Sequence, residues 1–115
     1  MQRDMDLIRK IVLAAEPGPP FPAIVGYTDD AIKYHKMLAI DAGLLKGTWR
    51  EDNTRATNIP AAVMIKDVTG DGHDFIQAIR EEENWSKVKK FLADTGKQLT
   101  IEMVKVAVRN LFGPG

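Results

Sequence analysis

The chain of 115 residues balances sixteen basic against sixteen acidic side chains, with 44% hydrophobic and 28% charged residues and no cysteine. That length suits one domain burying roughly two-thirds of its unfolded surface, and that composition suits a globular chain, not a disordered or fibrous one. A disulfide scaffold, a thiolate nucleophile and Cys-ligated zinc are excluded. No segment approaches the roughly 18 continuous apolar residues of a spanning helix, and the opening MQRDMDLIRK is too charged for a signal peptide, so a cytoplasmic location without membrane contact is expected.

Asp4 to Glu16 is expected to form the first helix. Met5, Ile8, Val12 and Ala15, with Leu7 and Ile11 beside them, make a wide apolar stripe at helical spacing, and Arg3, Arg9 and Lys10 lie off it. Pro17 must end this helix. Pro17, Pro19, Pro20 and Pro22 then make a stiff connector in which Ala23-Ile24-Val25 is the candidate for a short edge strand.

Gly26 to Gly47, GYTDDAIKYHKMLAIDAGLLKG, reads as a capped helix running into the first strand of a hairpin. Thr28 is the expected N-cap, Asp29 and Asp30 suit the positive end of the helix dipole, and Gly43 supplies a left-handed C′ residue. Leu44 to Trp49 and Ala61 to Thr69 are the expected strands, joined by the polar loop Arg50 to Asn58. Thr69 opens another helix, with Phe75, Ile76 and Ile79 on its inner side. Gly70 and Gly72 weaken its first turn by roughly 1 kcal/mol each relative to alanine, so a close approach to the sheet is the expected reason for them. The acidic triplet Glu81 to Glu83 interrupts the apolar pattern, which Trp85, Val88 and Leu92 resume up to a stop at Gly96. A last helix from Thr100 carries Ile101, Val104, Val108 and Leu111 on one face, wide enough either to close the core or to pair with a second copy.

Charge is unevenly spread. Residues 59 to 83 hold two basic and six acidic side chains, net −4, and residues 84 to 115 hold six basic and two acidic, net +4. A basic last third suits phosphate, the acidic third of a neighbour, or plain solvation. Site chemistry is sparse. Asp67-Val68-Thr69-Gly70-Asp71-Gly72 opens like a calcium loop, but position twelve is Ala78 where a bidentate Glu is required. His35 and His73 are far apart, with no spacing for a metal, and are expected to pack or hydrogen-bond. Ser86, the lone serine, has no glycine-flanked elbow, and no phosphate-cradling glycine loop occurs. Neither an enzyme, a cofactor nor a metal site is expected.

The order of helix, Gly43, Leu44-Leu45 and hairpin resembles the recognition helix and wing of a winged-helix domain. That resemblance implies Lys33, Tyr34, Lys36 and Met37 toward a DNA groove with Ile32 and Ala39 buried, Arg50 and Arg55 on the wing reaching the backbone, and Lys87, Lys89 and Lys90 adding phosphate contacts. Asp29 and Asp30 would repel phosphates there, and the connector is too short for a positioning helix. The alternative puts Tyr34 and Met37 in the core, the lysines in solvent, and the loop arginines against Glu51 and Asp52.

The blocks MQRDMDLIRKIVLAAE, GYTDDAIKYHKMLAIDAGLL and VTGDGHDFIQAIREEENWSKVKK resemble an uncharacterised bacterial family, frequent in phages and prophages and classed as a domain of unknown function. Arg3, Asp4, Asp6 and Leu7 fit its opening. Tyr27, Tyr34, His35, Leu38, Ala42 and Gly43 fit its central block, and Thr69, Gly72, His73, Phe75, Ile79, Arg80, Trp85 and Lys87 its third. Gly70 and Ala39 depart from the usual aromatic and leucine. The expectation is therefore one α+β, winged-helix-like domain over 1–115: residues 1–69 are the first helix, central helix and wing, and 70–115 the C-terminal helices. Two functions stay open. One is a DNA-binding or transcription-regulatory protein of phage or prophage type with double-stranded DNA as partner. The other is a protein-interaction or dimerisation module without DNA binding, its partner a host or phage protein or a second copy met through the C-terminal helix.

Overall fold

A computed structural model describes residues 1–96 and 99–113. The protein is α+β: within the described residues, helices α1 (Met5–Ala15) and α2 (Asp29–Asp41) precede strands β1 (Leu45–Arg50) and β2 (Ala62–Val68). Helices α3 (Gly70–Ile79), α4 (Glu82–Asp94) and α5 (Ile101–Phe112) follow. The two strands form one antiparallel hairpin. No helix among the described residues is long and apolar enough to cross a membrane.

Local chemistry sets these boundaries. The Asp4 carboxylate accepts from the N–H groups of Asp6 and Leu7, Thr28 accepts from Ala31 N–H, and Thr100 from Met103 N–H, each satisfying a donor that a helix start leaves free. Gly43, at φ 79°, ends α2 in the left-handed conformation. Thr69 joins two elements. Its hydroxyl accepts from Gly72 N–H at 2.9 Å and donates to the Gly43 carbonyl at 2.6 Å, fixing the start of α3 to the end of α2.

In the hairpin Gly47 pairs with Ile65 and Trp49 with Val63, with a bulge between Lys46 and Gly47 that leaves Lys66 unmatched. The inner face lies on α2. Trp49 Nε1 donates to Asp41 at 2.9 Å, and a Cβ on Gly47 would stand 3.0 Å from the Ile40 side chain. By alternation Lys46, Thr48 and Arg50 point outward. The connector between α1 and α2 holds no strand: Val25 is 84% exposed, and a segment whose prolines lack the N–H that a ladder needs stays irregular, so the expected edge strand at 23–25 is corrected.

The core runs along α1. Leu7, Ile8 and Val12 are wholly buried, α2 and α3 pack on that helix, and α4 and α5 close the far end with Trp85, Val88, Leu92, Ile101 and Val104. Two buried polar side chains lock this packing. His35 Nδ1–H donates to the Ala31 carbonyl at 2.7 Å and Nε2 accepts from Asp4 N–H at 2.8 Å; the fixed donor and acceptor assign the tautomer. Arg9 donates to the carbonyls of Ile79 at 3.0 Å and Arg80 at 2.7 Å and to Glu82 at 2.9 Å. It thus satisfies the open C-terminal end of α3 where the chain breaks into α4, whose N-cap Glu81 makes no side-chain bond.

Candidate interaction surfaces

The α2 and hairpin region is the expected nucleic-acid interface. Lys33 and Lys36 border a shallow cleft of about 400 Å³ between α2 and the start of β2, with Asp29, Ile32 and Ala61 to Val63 as its other walls. Both lysines are half-buried, as is Tyr34, whose ring meets His35 edge-on at 5.3 Å between centroids. Met37 is 8% exposed and cannot reach a groove; its expected exposure is corrected. The reason is that α2 lies between α1 and the hairpin, so every residue from Asp30 to Ile40 is buried or half-buried, Ala39 wholly and Ile32 in part.

The hairpin loop folds back toward α2. Arg55 donates to Asp30 at 3.0 Å and to Asp52 at 3.0 Å, bridging the loop to the first turn of the helix. Hydrogen bonds from Thr54, then from Arg55, hold Asp52 down at about 2, and the Arg55 bond lowers Asp30. Arg55 itself is raised by these carboxylates. The loop arginine is thus occupied, and it neutralises one of the two aspartates that would face phosphate. Arg50 is exposed on the outer hairpin face. Among the described residues no carboxylate lies within 4.0 Å of Lys33, Lys36, Lys46, Arg50 or Lys66. Even so, residues 26–69 hold six basic and six acidic side chains.

The α4 lysines are elsewhere. Lys87 pairs with Glu83 at 3.5 Å and Lys90 with Asp94 at 2.8 Å along their own helix. Lys89 reaches Asp6 at 3.2 Å and stands 5.8 Å over the Trp85 ring. Asp6 also accepts from Trp85 Nε1 at 2.6 Å, the largest reason that its carboxyl lies below its ordinary value. Since α4 packs on α3 and α5, the structure does not bring these lysines together with Lys33, Lys36 and Arg50 into one surface.

A second surface is a groove of about 600 Å³ between α3 and the C-terminal half of α5. Phe75, Ala78, Val108 and Phe112 supply its apolar lining. Asp71 and Asp74 stand on the α3 side and Lys105 and Arg109 on the α5 side. Lys105 donates to the Ala42 carbonyl at 2.8 Å, tying α5 to the end of α2, and stands 3.9 Å from Asp71. Leu111, the last residue of the apolar stripe of α5, and Phe112 beside it remain 40% and 38% exposed. Sequence reasoning read that stripe and the opposite charges of the two thirds but not their meeting in one groove.

The family profile described as "Hypothetical protein (DUF2513)" matches residues 2–98. The chain belongs to that family. An uncharacterized protein of Haemophilus influenzae is 24% identical to this DUF2513 chain over 118 residues, covering 97% of the chain and 96% of the relative. No solved structure matches it.

Proposed function

We propose that this DUF2513 domain is a protein-interaction module on a winged-helix-like scaffold, and that its docking surface is the α3–α5 groove. The observation that carries the reading is the contrast between the two surfaces. The central helix has no fully exposed residue from Asp30 to Ile40 and borders only a shallow cleft, whereas the groove is larger, open and lined by both apolar and charged side chains. A helix that reads a major groove inserts one face of side chains between the phosphate ridges. Here α1, the hairpin and the Arg55 bridge occupy that space.

One observation favours a second reading, a DNA-binding regulator of phage or prophage type: the five cations on α2 and the hairpin that lack a carboxylate partner among the described residues. Counterion release makes any such binding strongly salt-dependent. Fluorescence anisotropy with duplex DNA at roughly 50 and 200 mM salt separates the two readings. The interaction module shows no saturable binding at the lower salt. Saturable binding whose salt slope falls in Lys33→Ala with Lys36→Ala and Arg50→Ala overturns the module reading and establishes the regulator.

A further inference from the structure

The groove carries opposite charges on its two walls, and that pattern selects a partner. Asp74 on α3 and Arg109 on α5 both line it, both are exposed, and neither has an ion-pair partner among the described residues. A surface with an anionic wall and a cationic wall is complementary to itself under a two-fold rotation, which sets each residue of a pair against its counterpart twice. The exposed Phe112, which lines the groove, supplies apolar area that a partner would remove from water.

Resting on the interaction-module reading, we infer that the occupant of the groove is a second copy of this chain. The copies dock through α3 and α5 about a two-fold that runs along the groove between its walls, with Asp74 of each facing Arg109 of the other and Phe112 of each covered. The two-fold makes the interface isologous, so each charge pair forms twice. This dimer leaves the outer face of the hairpin and the α2–β2 cleft free.

Sedimentation equilibrium of the full chain and of two charge reversals, Arg109→Asp and Asp74→Arg, tests it. Wild type associates reversibly to a dimer. Each reversal alone places like charges opposite each other twice and weakens association by at least about tenfold. Both positions are exposed, so circular dichroism is expected to show unchanged helix content. Mixing the two variants in equal amounts restores dimer. The native Asp74 of the first variant then faces the native Arg109 of the second, and the carboxylate introduced into the first faces the guanidinium introduced into the second. A strictly monomeric wild type, single reversals that associate like wild type, or a mixture that stays monomeric each overturn the two-fold groove dimer. The DNA titration reads independently, so a monomeric chain that also ignores DNA removes the self-association alone and keeps the module reading.

Discussion

Two glycines two positions apart on α3 are expected to respond in opposite directions to alanine. A Cβ on Gly72 would stand 2.0 Å from the Leu44 carbonyl oxygen and 2.6 Å from a Val68 methyl, while one on Gly70 meets nothing within 4 Å. Ordinary contact begins at 3.4 Å, so Gly72→Ala drives the Leu44 carbonyl back by about 1.4 Å. That oxygen accepts from Thr69 N–H at 3.1 Å and lies 3.0 Å from the Thr69 hydroxyl, within a residue that is wholly buried. Overpacking costs about 1–3 kcal/mol and loosened hydrogen bonds about 1 kcal/mol each, against a helix-propensity gain of about 1 kcal/mol, leaving a net loss of about 2–4 kcal/mol. Gly70→Ala has only the gain, about 0.5–1 kcal/mol. In urea, with a slope of about 2 kcal/mol per molar, the Gly72 midpoint falls by about 1–2 M at constant slope and the Gly70 midpoint rises. A Gly72→Ala protein within about 0.5 kcal/mol of wild type, or a Gly70→Ala protein destabilised to the same degree, refutes the close-approach argument.

His35→Ala strips the partner of Asp4 N–H and the second, side-chain bond of the Ala31 carbonyl, and is expected to cost about 2–3 kcal/mol in urea unfolding, with faster exchange of the Asp4 amide; an unchanged midpoint contradicts the lock. Arg9→Met leaves the Ile79 and Arg80 carbonyls open at the α3–α4 break and is expected to cost about 2–3 kcal/mol by the same measurement. Asp52, depressed to about 2, contributes its stabilisation fully above the ordinary carboxylate range and loses it as pH falls toward its folded value. An NMR titration of its carboxyl checks this, and a midpoint near the model-peptide value of about 3.9 counts against its hydrogen bonds from Thr54 and then Arg55. Arg55→Ala is expected to return Asp30 toward its ordinary value in the same titration, because the Arg55 hydrogen bond is the largest cause of its depression.

Much of this fold was legible because its boundaries are set by local chemistry. Thr28, Thr69 and Thr100 cap helices where a hydroxyl precedes an apolar run, Gly43 ends α2, and the hairpin flanks a polar loop as read. The expected close approach was right for Gly72 and finds no counterpart at Gly70, since first-turn spacing cannot say which glycine faces the sheet. Met37 was misplaced because α2 is covered on two sides. A helix packed on one partner shows one apolar stripe, whereas one packed between α1 and a hairpin buries His35, Met37 and Ala39 at alternate positions, a pattern that helical periodicity does not announce. The roles of Arg9 and His35 were equally hidden, since each depends on backbone atoms brought close only by the tertiary packing, 70 residues away for Arg9 and 31 for His35. Arg55 was correctly placed on the loop, but its reach to Asp30 is a contact over 25 residues.

The residues that carry the family resemblance are in large part the ones that hold the scaffold. Asp4 caps α1 and donates its N–H to His35; Asp6 accepts from Trp85; Gly43 turns the chain; Thr69 and Gly72 bring α3 against the end of α2; Arg80 donates to Glu16 across the molecule. Such a signature reports a shared fold, and function inferred from fold alone is analogy. The difference between a DNA-binding and a protein-binding member has to lie in residues that the scaffold does not consume. In this chain those are the unpaired cations of α2 and the hairpin, and the opposed Asp74 and Arg109 of the groove. The first set belongs to a neutral region whose helix face is covered and whose loop arginine is engaged. The second set flanks an open apolar groove beside an exposed phenylalanine, where removal of apolar area from water drives docking and the charge pairs fix its register. Apolar burial therefore favours the groove, and reversing the sign of one charge there distinguishes recognition from solvation without disturbing the core.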